Sequence, residues 1–320
     1  MTFSEPITTG FTALLGITHP IVSAPMAGVA GGALAAAVSR AGGLGLIGGG
    51  YGDETWLRRE FAVAGDATVG CGFITWALAE RPALLDLALS HRPAAVMLSF
   101  GDPAPFASAV KSAGAQLICQ VQDLCQADRA LHVGADVLVA QGSEAGGHGC
   151  GPRSTMTLVP EIADLVGAAG LTTPVLAAGG IADGRGLAAA LMLGAAGVLC
   201  GSRFYAATEA LSTGPAREMV AGADGDSSCR TDVFDVARGH DWPPGHTMNA
   251  LRNAFTDRWD GAEPDPAQMV AQYRAAVADE DYRVAAVIVG QAAGLIHGSA
   301  PAGQIVTEMA RDAAGLLSGR

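Results

Sequence analysis

Short apolar runs recur along the chain as far as residue 200, at 20–24, 44–47, 68–72, 94–98, 115–119, 136–140, 174–178 and 196–200. They are apolar on both faces, the pattern of strands buried in a parallel sheet. Between them lie stretches with apolar residues at helical spacing, at 31–41, 81–90, 105–114, 123–133 and 183–193. A small-residue phrase leads into several strands: Ala41-Gly42-Gly43, Gly114-Ala115, Gly134-Ala135-Asp136 and Gly194-Ala195-Ala196. Each supplies a glycine able to end a helix in the left-handed conformation before the strand begins. Strand–helix alternation gives either a closed barrel or a doubly wound sheet. Eight strands point to the α/β class and a (β/α)8 TIM barrel.

The alternation stops near Phe204. Residues 206–283 are more polar and carry turn signals, among them Ala221-Gly222-Ala223-Asp224-Gly225-Asp226 and Trp242-Pro243-Pro244-Gly245. Helical patterns at 247–257 and 266–278 predict a small, mostly helical insertion beside the barrel mouth. An apolar helix at 302–317 returns to cover the barrel. The expected organisation is a barrel of residues 1–205 and 284–320, with the insertion at 206–283. The uncharged stretch 20–38 has the length of a membrane span. Pro25, Gly28, Gly31 and Gly32 interrupt it, so it reads as strand, turn and helix instead.

Composition narrows the chemistry. Half the residues are apolar and 16% are charged, enough for a large core. A net charge of −12 argues against tracking nucleic-acid phosphates, which needs a basic face. Lys111 is the sole lysine and falls on a predicted surface helix, which argues against Schiff-base or pyridoxal phosphate chemistry. The cysteines form no C-x-x-C pair, so neither a zinc site nor a thioredoxin-type site is expected. Cys71, Cys119 and Cys200 fall in strand-like runs and read as core packing. The first ten residues carry Glu5 and no base, unlike a secretory leader. Together these features suggest a cytoplasmic setting.

Active sites of such barrels lie on the loops that follow the strands. Four strand ends stand out. The first run leads into Ala24-Pro25-Met26-Ala27-Gly28, which serves equally as a tight turn or as a close backbone approach to a planar ligand. The sixth leads into Gln141-Gly142-Ser143-Glu144-Ala145-Gly146-Gly147-His148-Gly149, which gives up rigidity and presents one imidazole. Histidine is the side chain best suited to exchange a proton near neutral pH. The alternative is a surface loop with an incidental histidine. The seventh and eighth lead into Ala178-Gly179-Gly180-Ile181-Ala182-Asp183 and Gly201-Ser202-Arg203-Phe204. Paired glycine turns there commonly bind phosphate, with free amides and helix dipoles to help. Asp183 also fits a plain helix cap. His19, His91, His132, His240, His246 and His297 read as surface or packing residues.

The segments PIVSAPMAGVAGGALAAAVSRAGGLGLIGGGY, ADVLVAQGSEAGGHG, PVLAAGGIADGRGLAAALMLGAAGVLCGSRF and GLIHGSAPAGQIV resemble the nitronate monooxygenase (2-nitropropane dioxygenase) family. The resemblance covers roughly residues 15–210 and the C-terminal tail; the insertion adds little to it. It implies an FMN enzyme that oxidises an alkyl nitronate with O2 to a carbonyl compound and nitrite. Pro25, Met26 and Ala27, with Ala24 before them, would pass beside the isoalloxazine. Gln120 matches a flavin-contacting position where some relatives have lysine. Gly72 matches one where some have asparagine, so that contact is absent here. Gln141, Gly146 and Gly147 would border the FMN. Gly179 and Gly180, preceded by Ala178, would bind its phosphate together with Gly201 and Ser202. His148 matches the catalytic histidine, stabilising the bound anion or removing the α-proton of a neutral nitroalkane. The same fold and loop occur in flavin-dependent enoyl-ACP reduction with NAD(P)H and in NADH:quinone reduction. A small-molecule substrate and no membrane are implied, with homodimerisation left open.

Overall fold

The computed structural model describes residues 6–319, so Glu5 lies outside it. Strands β1 (Ile21–Ser23), β2 (Leu44–Gly50), β3 (Gly70–Ile74), β4 (Ala95–Ser99), β5 (Gln116–Val121) and β6 (Val137–Gln141) follow one another around a barrel. After a short outlying strand, β7 (Gly147–Gly149), strands β8 (Val175–Ala178) and β9 (Gly197–Cys200) complete it. All neighbours are parallel, and the ring closes where Val22 of β1 faces Leu44 on one side and Leu199 on the other. Every strand-like run of the sequence thus contributes one barrel strand.

Side chains alternate between two apolar layers, as the twofold period of a strand requires. Val22, Leu46, Met97, Ile118, Val139 and Leu176 fill the barrel interior. Phe11, from the short helix Gly10–Leu15, is fully buried with them at the amino-terminal end, where the Thr9 hydroxyl donates to Ala196 O. Ile21, Ile47, Val96, Leu117, Leu138 and Val198 point outward against the helices. Cys71, Cys119 and Cys200 lie in this outer layer as buried free thiols. Gly42, Gly114, Gly134 and Gly194, which precede strands, all have φ between 77° and 92°. Only glycine takes such values without strain.

The helices Gly32–Arg40, Ala83–Ser90, Ala104–Ser112, Leu124–His132 and Gly184–Met192 fall where the apolar spacing predicts them. Helices Glu54–Ala64 and Thr155–Ala168 go beyond it; the second carries Pro160 within it, which masks its pattern. Lys111 pairs with Asp136 at 3.0 Å on the barrel's outside. The helix Ala302–Leu317 packs on the helices Gly184–Met192 and Gly32–Arg40, burying Ile305, Val306, Met309 and Ala313. Among the described residues, no helix is long and apolar enough to cross a membrane.

Between β9 and that last helix the chain forms helices Gly214–Gly222, Val233–Arg238, Ala254–Trp259 and Pro266–Ala278. It also forms β10 (Ser228–Thr231) and β11 (Thr247–Leu251). The helix expected over 247–257 is therefore corrected: its first half is a strand. Met248 and Ala250 are fully buried, and β11 is hydrogen-bonded on both sides, to β10 and to β7. Tertiary pairing overrides the local pattern. The same pairing corrects the expectation of a loose glycine-rich exit after β6. His148 sits mid-strand in β7 opposite Met248, and a Cβ on Gly146 would come within 2.6 Å of Gly290 N. Glycine serves close packing there, not looseness.

Candidate active site

The carboxyl ends of the strands converge on a cavity of about 260 Å3. Ala24, Pro25, Met26 and Ala27 follow β1 on its wall, and Gly72 reaches it from β3. Gln120 and Gln141 come from β5 and β6, and Gly146, Gly147 and His148 from the entry and middle of β7. Ala178 ends β8 with Gly179 and Gly180 just after it, and Gly201 and Ser202 follow β9. All the site residues expected from the sequence line this one cavity.

Its walls differ in chemistry. Gly179 and Gly180 have φ of 107° and 73°, and a Cβ on Gly179 would come within 3.0 Å of Ala145 N. Both positions thus favour glycine, and the turn carries no side chain of its own. The Ser202 hydroxyl oxygen accepts from Gly290 N at 2.9 Å, which leaves its own proton to donate. Asp183 accepts from Arg185 N and Gly186 N, so it is the helix cap. A second wall is an amide ladder: Gln120 Nε2 donates to Gln141 Oε1 at 2.9 Å, and Gln122 Nε2 donates to the same oxygen. The wall after β1 is apolar. A Cβ on Gly72 would lie 2.3 Å from Pro25 Cγ, so glycine here gives the room to proline. A glycine turn, a polar amide edge and an apolar wall around one cavity fit a flavin.

His148 is 9% exposed, and its Nε2 lies 3.0 and 2.9 Å from the two carboxylate oxygens of Asp235. Asp235 is 4% exposed and belongs to the insertion helix Val233–Arg238. The Trp242 ring stacks on the imidazole at 3.5 Å and 10°. Trp242 Nε1 donates to the Tyr51 hydroxyl at 3.0 Å, and Tyr51 stacks in turn on His240. Phe100, beyond β4, meets both His148 and Trp242 edge-on. Burial holds the His148 imidazole below its usual pKa; the Asp235 hydrogen bond and charge oppose this, while Arg238 and His246 add to it. Burial and the Arg238 charge push His240 down to about 4. His240 and His246 thus flank the site, whereas His297 is exposed and apart from it.

Asp235, Trp242, Tyr51 and Phe100 escaped the sequence reasoning. Asp235 lies 87 residues from its partner, with no local signal to join them. The Trp242-Pro243-Pro244-Gly245 turn was visible, but not that its tryptophan faces the histidine. A second concavity, of about 1010 Å3, adjoins the cavity and shares Ala27, Gly50, Tyr51 and Arg238 with it. Arg58 and Arg81 line its far side, along with Asp53, Glu54 and Asp86.

A family model described as Nitronate monooxygenase matches residues 8–73 and 74–312. The nitronate monooxygenase npaC of Metarhizium robertsii is 35% identical, over 93% of this chain and 92% of its own length. FabK from Thermotoga maritima superposes with a TM-score of 0.84 at 31% identity, covering 98% of both chains. Nitroalkane oxidase from Streptomyces ansochromogenes gives 0.79 at 25%, covering 97% of this chain and 99% of its own.

Proposed function

Because the chain belongs to the nitronate monooxygenase family, and is an oxidoreductase of it, we propose that it oxidises alkyl nitronates with O2 to a carbonyl compound and nitrite, using FMN. The observation that carries this reading is the convergence of a glycine cradle, an amide edge and one buried imidazole on a single cavity. Amides of Gly179, Gly180 and Gly201 and the Ser202 hydroxyl would hold the phosphate. Gln120 and Gln141 would meet the polar edge of the ring system, and Pro25 and Met26 its flat face. Bound there, the flavin would supply the electron acceptor and the route to O2; the protein orients it and excludes competitors.

His148 does the proton work. Its lowered pKa keeps it neutral near pH 7 and able to accept a proton. With a neutral nitroalkane it takes the α-proton: the C–H electron pair stays on the substrate and yields the nitronate, while the imidazole becomes cationic. That cation then pairs with the anion it has made. The stacked Trp242 keeps water off the ring.

The test is an absorbance spectrum of the purified protein, followed by anaerobic addition of a nitronate. A yellow protein that bleaches, and that releases FMN on denaturation, is the expected result. Release of FAD, or no bleaching, would sink the reading. His148→Asn should lower kcat/KM for the neutral nitroalkane about 10²–10⁴-fold, and that for preformed nitronate much less.

One observation favours a second reading, NAD(P)H-dependent reduction of an enoyl thioester or a quinone. The adjoining groove, with Arg58, Arg81 and Arg238, has room for a long substrate that a nitronate does not need. Steady NAD(P)H oxidation with either acceptor, and none of the bleaching by nitronate, would replace the first reading with this one.

A further inference from the structure

We propose that Asp235 is the positioning residue of His148: it holds the imidazole proton on Nε2 and so leaves Nδ1 as the nitrogen that works. The base is then a two-residue device, its histidine supplied by the barrel's strand exit and its carboxylate by the insertion. The inference rests on the reading of His148 as the proton acceptor given above.

Three observations carry it. Both Asp235 oxygens lie within 3.0 Å of His148 Nε2, a contact to one nitrogen by both arms of the carboxylate. Asp235 is 4% exposed, and among the described residues this imidazole is the sole side chain hydrogen-bonded to its carboxylate. A buried carboxylate accepts and cannot donate. It therefore demands a proton on Nε2, and a neutral imidazole with its proton there has a lone pair at Nδ1. Finally, Nδ1 has no hydrogen-bond partner among the described residues, although His148 lines the cavity.

The surroundings leave Asp235 as the one group that favours the cation. Arg238, on the same helix, and His246, from the loop before β11, both disfavour it, as does burial. His240 follows Arg238 on the chain and also feels the His148 charge. Trp242 and Phe100 face the ring without charge. Without Asp235, a proton taken from carbon would create a cation with no carboxylate beside it. With Asp235, the cation forms already hydrogen-bonded, and the ring cannot turn to offer its protonated nitrogen to the substrate.

The experiment is ¹⁵N NMR of the histidine side chains in the flavin-loaded protein, with His148 assigned by its absence in His148→Asn. In the wild type near pH 7.5 the His148 proton should be on Nε2. In Asp235→Asn the amide can donate to Nε2, so the proton should move to Nδ1, as happens when the triad aspartate of serine proteases is replaced. The titration midpoint of His148 should also fall. In turnover, Asp235→Asn should lose about 10²–10⁴-fold in kcat/KM on neutral nitroalkane, but less than about tenfold on preformed nitronate, which needs no base. Asp235→Glu should restore the Nε2 proton and part of the rate.

A wild-type spectrum with the proton on Nδ1 overturns the proposal without any variant, so a misfolded Asp235→Asn cannot shelter it. An unchanged tautomer and midpoint in a folded Asp235→Asn overturn it too. The spectra are independent of substrate: if neither nitroalkane nor nitronate is turned over, the functional reading falls, while the tautomer still decides the role of Asp235.

Discussion

At position 72 a side chain has nowhere to go, because the ring of Pro25 already occupies the place of its first carbon. Gly72→Ala should destabilise the barrel by about 1–3 kcal/mol, the range for overpacking a filled core, read as a lower urea midpoint. At position 180 the constraint is different. A Cβ there would make only an ordinary contact with Glu144, but φ is 73° and the residue lines the cavity. Gly180→Asp should keep a native circular dichroism spectrum and lose its flavin, since a carboxylate would meet the phosphate at close range. Full flavin content in that variant would put the phosphate elsewhere. Trp242 acts on His148 by covering one face of its ring. Burial is the largest cause of the lowered imidazole pKa. Trp242→Ala should therefore move the acid limb of kcat/KM for neutral nitroalkane to higher pH. Asp235→Asn should move it the other way, so the pair of profiles separates cover from charge.

Among the elements, those with a periodic pattern were legible and those made by distant pairing were not. The strands declared themselves because both faces are apolar: Val22 and Ile21, or Val96 and Met97, point to opposite layers that are both dry. The last helix declared itself by its apolar row, and it spans Ala302–Leu317 as expected. Removing it strips Ile305, Val306 and Met309 from the helices on either side. At about 1.5–3 kcal/mol for each such side chain, the loss rivals the whole stability of a domain, about 5–15 kcal/mol. A chain stopped at residue 301 should therefore be insoluble or lack a cooperative melting transition; a sharp transition near the wild-type Tm would show the helix to be dispensable. By contrast, β11 read as helix because nothing in 247–257 reveals that β7 and β10 flank it. The candidate site divides along the same line. Its cradle came from glycines at strand ends and could be read. The partner of its histidine could not, because His148 meets Asp235 only once residues 87 positions apart have folded together.

For the whole molecule, imidazoles held below their usual pKa, His19 among them, give a pH dependence. His148 and His240 both have pKa values lowered by the fold, His240 from the usual 6.5 to about 4. Below pH 6.5 the unfolded chain takes protons that the folded one refuses, so stability rises with pH across this window and falls as pH drops from 6.5 toward 4. His246, raised by its hydrogen bond with Cys150, works in the opposite sense. Tm measured from pH 4 to 7.5 should climb, and His240→Gln should flatten the climb; an unchanged slope would mean that His240 titrates normally in the folded state. The division of the site between barrel and insertion also has a consequence in time. Chains emerge from the ribosome amino terminus first. The apolar wall after β1, His148 and the glycine turns up to Ser202 are translated before Asp235 and Trp242 exist. A nascent chain therefore carries the histidine before its carboxylate and its stacked indole, and the imidazole is unpartnered until they follow.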